Sequence, residues 1–408
     1  MKTFEVPAFY RSPLLSKIKN IRKENDKLKK DFQPTCLDFG VVQFFLARHF
    51  GFCYGVENAI EIAFRTVQEN PTKRIFLLSE MIHNPKVNAD LLANGVQFIM
   101  DTKGNMINSW DSITEEDIVI IPAFGTTLET EELLRAKGID PLLYNTTCPF
   151  VERVWKKADQ IAKEEYTIII HGKPSHEETK ATFSHSSANT PSLIINDLQE
   201  AKLLAKYITN QLPTEQFYID FAGKYSKDFD ASKHLSRVGV VNQTTMLAED
   251  TQAIAEFIKQ TIAAHYNLTA TTIAERFADT RDTLCYATND NQTAVKGMLQ
   301  QQADLAIVVG GYNSSNTSHL VELCEEVLPT YFINDANNII DKNTIIRHHF
   351  RTHEMETVSN FLPTTSPIKI LITSGASCPD AVIENVIDKL LSLLPEAKTK
   401  GAVMNELN

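Results

Sequence analysis

The stretches GFCYGVENAIEIAF (51–64), TTCPFVERVWKKADQIA (146–162) and TLCYATNDNQTAVKGML (283–299) decide the fold. Each carries a cysteine at its start and runs on as an amphipathic segment of helical length. Each is followed by a short β-branched strand and then a polar loop. Those loops are IHNPKVN from Ile82, GKPSHEETK from Gly172 and YNSSNTSHL from Tyr312. Cys53 precedes His83 by 30 residues, Cys148 precedes His176 by 28, and Cys285 precedes Ser314 by 29. A third strand and loop follow in each case: IIPAFGTTLETEELL (120–134), VGVVNQTTMLAEDTQAI (238–254) and ILITSGASCPDAVIENVI (370–387). The recurrence of one motif order, three times and over unequal lengths, marks a repeated supersecondary unit rather than a solenoid. Strands that alternate with helices predict parallel α/β sheets.

The fold expected is α/β, a trefoil of three related α/β domains in a pseudo-threefold arrangement around a central cavity. Its parts are an N-terminal extension (1–40), domain 1 (41–147), domain 2 (148–284, with an insertion about 198–236) and domain 3 (285–365). A C-terminal strand–helix segment (366–408) closes the cavity. Within the extension, Lys17 to Lys30 (KIKNIRKENDKLKK) reads as one solvated surface helix.

Composition narrows the function. The chain has 408 residues, 43% hydrophobic, with a formal net charge of −11, which is globular composition. An acidic chain without a clustered basic face argues against nucleic-acid binding. No apolar stretch reaches the ~18–20 residues of a membrane span. Met1 to Pro13 lacks the apolar core of a signal peptide. The expected location is cytoplasmic, with no nucleic-acid or membrane partner.

Six cysteines lie at 36, 53, 148, 285, 324 and 378, with no C-x-x-C among them. A disulfide scaffold or a short-spaced structural zinc site is not indicated. Cys36, Cys324 and Cys378 read as inert thiols. Cys53, Cys148 and Cys285 differ because they occupy equivalent places in three units. A helix start stabilises thiolate. Three thiolates converging on the strand carboxyl ends suit an iron–sulfur cluster with one iron left open to substrate.

The second loops supply His83, Asn84, His176, Glu178, Ser314, Ser315 and Asn316, and the third supply Thr244, Thr245, Ser374 and Ser377. Such donors at helix starts suit a phosphate group. Taken singly, each is more often an ordinary cap. No Walker or G-x-G-x-x-G motif is present. Glu178 sits among neutral donors, where a neighbouring phosphate would raise its pKa and suit it to proton donation. Glu177 reads as a first-turn carboxylate, His171 as a satisfied core histidine, and His348 and His349 as surface residues. An iron–sulfur hydro-lyase and an iron–sulfur sensor remain open alternatives on these residues alone.

GFCYGVENAI, SEMIHNP, TTCPFVERVWK, HGKPSHEET, NQTTML, CYATNDNQ, GGYNSSNTSHL and TSGASCPD together resemble the 4-hydroxy-3-methylbut-2-enyl diphosphate reductase family, most closely its plant and cyanobacterial branch. The resemblance runs from about Gly51 to the C-terminal helix. It implies an oxidoreductase that carries out the last step of the methylerythritol phosphate route to isoprenoids. The reaction is a reductive dehydration to isopentenyl and dimethylallyl diphosphate. It implies a 4Fe-4S cluster on Cys53, Cys148 and Cys285, or a 3Fe-4S form once oxidised. It implies diphosphate binding by His83, His176, Ser314, Ser315, Asn316 and Ser377. Thr244 would orient the substrate hydroxyl, and Glu178 would deliver the proton. A ferredoxin or flavodoxin would supply single electrons. One departure stands out. Many bacterial members carry a second diphosphate histidine in an A-H-G loop, and here that position is Phe124 in PAFGTT.

Overall fold

The structure is a computed structural model that describes residues 4–278, 280 and 283–407. The chain divides into two compact units built from interleaved stretches. The first comprises Met1–Glu61, Ile82–Asp90 and Tyr286–Asn408, and the second Ile62–Met81 and Leu91–Cys285.

The strands, in chain order, are β1 (Thr35–Asp38), β2 (Val42–Leu46), β3 (Ile75–Leu77), β4 (Val96–Phe98) and β5 (Ile118–Ile120). Next come β6 (Thr167–His171), β7 (Ser192–Ile195), β8 (Val238–Asn242), β9 (Leu305–Val309) and β10 (Thr330–Ile333). The last are β11 (Thr344–His349), β12 (Glu354–Ser359) and β13 (Ile368–Ser374).

The second unit holds two parallel three-stranded sheets, ordered β4-β3-β5 and β7-β6-β8. The first unit holds a five-stranded sheet, β1-β2-β13-β9-β10, and a β11–β12 hairpin. The repeat is written in these orders. In each sheet the first strand of the repeat (β3, β6 or β9) lies between the other two, with the second on one side and the third on the other. β6 and β9 are buried along their whole length, as parallel strands covered on both faces must be. In the first unit, β2 extends the sheet in parallel beyond β13, and β1 turns back antiparallel on β2.

Each repeat cysteine stands immediately before a helix: Tyr54–Glu69, Pro149–Ala162 and Tyr286–Met298. The polar loops follow the central strands, and the helices behind them start at Pro85, Glu177 and Ser315.

The N-terminal region differs from a solvated helix over 17–30. The helix runs from Pro13 to Asn25. Ser12 caps it by accepting from Leu15 N at 2.9 Å, and Pro13 fills the first position, where no amide donor is needed. Leu14, Leu15 and Ile18 are buried in one core with β2, β9 and β13. The helix is amphipathic, and its lysines mask a short apolar face. The insertion forms helices Leu198–Ile208, Thr214–Asp220 and Ala231–His234. Its buried Phe217, Phe221 and Phe229 join the core under β7 and β8.

Candidate functional site

In the first unit, four loops are tied together at the carboxyl ends of β9 and β13. The Cys53 amide donates to the Ala376 carbonyl at 3.1 Å. The Ala376 amide in turn donates to Asn316 Oδ1 at 3.0 Å. Ser377 Oγ donates to the His83 carbonyl at 3.1 Å, and the Gly51 amide to Ser374 Oγ at 3.0 Å. Glycine is required where these loops meet. A Cβ on Gly311 would lie 2.3 Å from the His83 carbonyl oxygen, and one on Gly375 would lie 2.0 Å from Thr317 Oγ1. The structure therefore brings Cys53, His83, Asn316 and Ser377 into one neighbourhood.

Ser314 caps the Ser315–Glu325 helix, accepting from Thr317 N at 3.3 Å. Ser315 and Asn316 follow it into the first turn. Both are buried, and Ser315 Oγ and Asn316 Nδ2 have no hydrogen-bond partner among the described residues. Leaving a buried polar atom unmatched costs about 1–3 kcal/mol. Two such atoms on successive residues of a helix's first turn have the chemistry to hold an anion. Asn84 does something else. Its Oδ1 accepts from Lys86 N and Val87 N at 3.1 and 3.2 Å, so it caps the Pro85–Ala93 helix.

In the second unit, the Cys148 amide donates to the Ala123 carbonyl at 2.9 Å, which fixes the cysteine against the PAFGTT loop. His176 caps the Glu177–Ser187 helix, its Nδ1 accepting from Glu178 N at 3.1 Å. That bond makes Nδ1 the bare nitrogen and puts the ring proton on Nε2. Glu178 is only 2% exposed. Thr244 Oγ1 donates to Glu178 Oε2 at 3.0 Å, and the Thr244 amide donates to Oε1. Glu178 and Thr244 thus form one buried pair across the ends of β6 and β8. A carboxyl group in direct contact with a hydroxyl can hold a proton and pass it on. Cys285 is buried, and two residues before it Thr283 Oγ1 donates to Asn242 Oδ1 at 2.6 Å.

The remaining cysteines are poor thiolates. Burial pushes the Cys324 thiol up to about 12 and raises Cys36 and Cys378 as well. Within either unit taken alone, no three His, Cys, Asp or Glu side chains gather as a metal site among the described residues. No disulfide joins the cysteines.

The sequence profile of the LytB protein family matches residues 44–391. The chain belongs to the LytB family. A relative from Synechococcus sp. (strain RCC307), named 4-hydroxy-3-methylbut-2-enyl diphosphate reductase, is 40% identical over 355 residues, covering 87% of this chain and 84% of that protein. A relative of the same name from Cyanothece sp. (strain PCC 7425 / ATCC 29141) is 39% identical over 380 residues, covering 93% and 89%. A solved structure of (E)-4-hydroxy-3-methyl-but-2-enyl diphosphate reductase, described as the terminal enzyme of the non-mevalonate pathway, aligns with a TM-score of 0.52 at 25% identity. It covers 85% of this chain and 98% of that one. The E-1-hydroxy-2-methyl-but-2-enyl-4-diphosphate reductase from Plasmodium falciparum shares the fold, with a TM-score of 0.62 at 22% identity over 88% of this chain and 90% of that one.

Other residues of this LytB chain sort clearly. His171 Nδ1 lies 2.9 Å from Thr251 Oγ1, a satisfied core histidine as expected. The Ser79 hydroxyl donates to Glu177 Oε1, so Glu177 is anchored in the first turn of its helix. His348 departs from its expected place on the surface. It is buried, with its ring stacked on Tyr312 at 4.4 Å and 12°. The reason is the β11–β12 hairpin, whose first strand packs beside β10 and so brings His348 against the loop that carries Ser314. The sequence reading also missed Trp155 and His185. Their rings stack at 3.8 Å and 11°, Trp155 Nε1 donates to Thr182 Oγ1 at 3.0 Å, and His185 Nε2 lies 3.2 Å from the Thr126 carbonyl. The available signal was Trp155 itself, one of two tryptophans in the chain, seven residues beyond Cys148.

Among the described residues, no helix is long and apolar enough to cross a membrane.

Proposed function

We propose that the chain is a 4-hydroxy-3-methylbut-2-enyl diphosphate reductase. It removes the allylic hydroxyl of its substrate as water, consuming two electrons and two protons, and releases isopentenyl and dimethylallyl diphosphate. The observation that carries this reading is the unmatched pair Ser315 Oγ and Asn316 Nδ2, beside the loop tied to Cys53, in a chain about 40% identical to reductases of that name.

The donor set fits an iron–sulfur cluster. Cys53, Cys148 and Cys285 each precede a helix, while burial holds Cys324 and Cys378 in the thiol form and Cys36 lies exposed on a strand. We assign the first three as ligands of one 4Fe-4S cluster. When bound, the cluster would supply electrons and a Lewis-acidic iron.

The remaining roles belong to the chain's own residues. His83, His176, Ser314, Ser315, Asn316 and Ser377 hold the diphosphate. Thr244 orients the substrate hydroxyl, and Glu178 holds the proton that leaves with it. A small one-electron carrier, ferredoxin or flavodoxin, supplies the electrons. A compartment that keeps six cysteines reduced, the cytoplasm, suits this chemistry.

The test is anaerobic purification followed by assay with reduced viologen dye. Turnover that requires the reductant supports the reading. Turnover without it points to a hydro-lyase instead.

A further inference from the structure

The ring of Phe124 meets the ring of His176 edge-on, with centroids 5.6 Å apart and planes at 86°. Both residues are half-buried. Phe124 sits in the turn after β5, between two anchored neighbours. On one side, the Ala123 carbonyl accepts from the Cys148 amide at 2.9 Å. On the other, Gly125 adopts φ +78°, and a Cβ there would lie 2.5 Å from the Trp155 ring. The turn is also clamped further along the Glu177–Ser187 helix that His176 caps. The Leu128 amide donates to Ser184 Oγ at 3.0 Å, and the Thr126 carbonyl lies 3.2 Å from His185 Nε2. Phe124 is therefore held against this helix at its start, and its turn is bolted to the same helix about two and a half turns on.

We propose that Phe124 is the positioning residue for His176. Its ring holds the imidazole in the rotamer whose Nδ1 accepts from Glu178 N, so that the proton stays on Nε2 for hydrogen bonding to an anionic oxygen. Without the aromatic wall, the imidazole can leave the cap and sample other rotamers, at an entropic cost when a ligand orders it again. An edge-to-face aromatic contact is worth enough to change affinity roughly three- to tenfold. This inference rests on the reductase reading for the identity of the substrate but not for the ring contact itself.

The experiment uses the cluster-loaded enzyme and the variants Phe124→Ala, Phe124→Leu and Phe124→Tyr, each with and without His176→Ala. Binding of inorganic diphosphate is measured by calorimetry, and KM and kcat are measured with reduced viologen. Phe124→Ala should weaken diphosphate binding and raise KM, each roughly three- to tenfold, with the larger effect on KM rather than kcat. Phe124→Tyr should restore both values, and Phe124→Leu should fall between. In the His176→Ala background, Phe124→Ala should add nothing. Additive losses, or an unchanged diphosphate affinity in Phe124→Ala and Phe124→Leu, would overturn the proposal. Should Phe124→Ala fail to fold, the Leu and Tyr variants decide in the same way. Absent turnover by every protein, wild type included, counts against the reductase reading alone, because the calorimetry still reports on Phe124.

Discussion

The loops of the first unit and those of the second come from the same repeat, yet they leave their polar groups in opposite states. At the start of the Ser315–Glu325 helix, Ser315 Oγ and Asn316 Nδ2 are buried without partners among the described residues. At the start of the Glu177–Ser187 helix, both oxygens of Glu178 accept hydrogen bonds from Thr244. An unmatched donor is stabilised only when a ligand arrives, which is why the proposed function gives the first loop a binding role. A matched carboxyl group is already oriented, which is why the proposed function has the second handle a proton in a fixed place. On the proposed reading, one repeated strand–loop–helix pattern is divided between holding an anion and doing chemistry.

That contrast can be broken by substitution. Glu178→Gln should keep the shape and most of the binding while kcat falls by about 10²–10⁴-fold, with KM little changed. A loss seen mainly in KM would move Glu178 into the binding set. Ser315→Ala and Asn316→Ala should do the reverse, each raising KM roughly tenfold or more and leaving kcat within a few-fold. Ser315→Ala should not destabilise the ligand-free protein, because its hydroxyl makes no bond there, whereas Asn316→Ala should cost about 1 kcal/mol because it also removes the Oδ1 that accepts from the Ala376 amide; thermal melts of the two variants check this. Equal losses in kcat for the serine, asparagine and glutamate variants would erase the distinction.

The smallest effect concerns pH. Burial pulls the His185 pKa below its ordinary 6.5, so the folded protein refuses a proton that the unfolded chain accepts. Its contribution to stability is whole above about pH 6.5 and is lost as pH falls below it. His185→Gln should flatten the stability curve in that acid window, as read by urea unfolding at a series of pH values. A curve as steep as wild type would show that other groups govern the acid side.

Much of this arrangement was legible beforehand, for physical reasons. Strands such as Leu305–Val309 are short β-branched runs between polar loops, and a buried parallel strand leaves few other ways to read them. The cysteine before each helix and the donors after each central strand follow from the threefold repeat. Other features left no local mark. Lysines hide the apolar face that buries Leu14, Leu15 and Ile18. His348 is buried only because a hairpin folds over Tyr312. The contacts among Phe124, His176, Trp155 and His185 join residues up to about sixty positions apart, which no periodicity encodes. The two units are assembled from interleaved stretches, a division without any composition boundary.

The most direct measurement is iron and acid-labile sulfide in anaerobically purified Cys53→Ser, Cys148→Ser and Cys285→Ser, set beside Cys324→Ser. Wild type and Cys324→Ser should carry about four irons per chain, and each of the other three should lose most of them. Full iron in all three of those variants would contradict a cluster held by Cys53, Cys148 and Cys285.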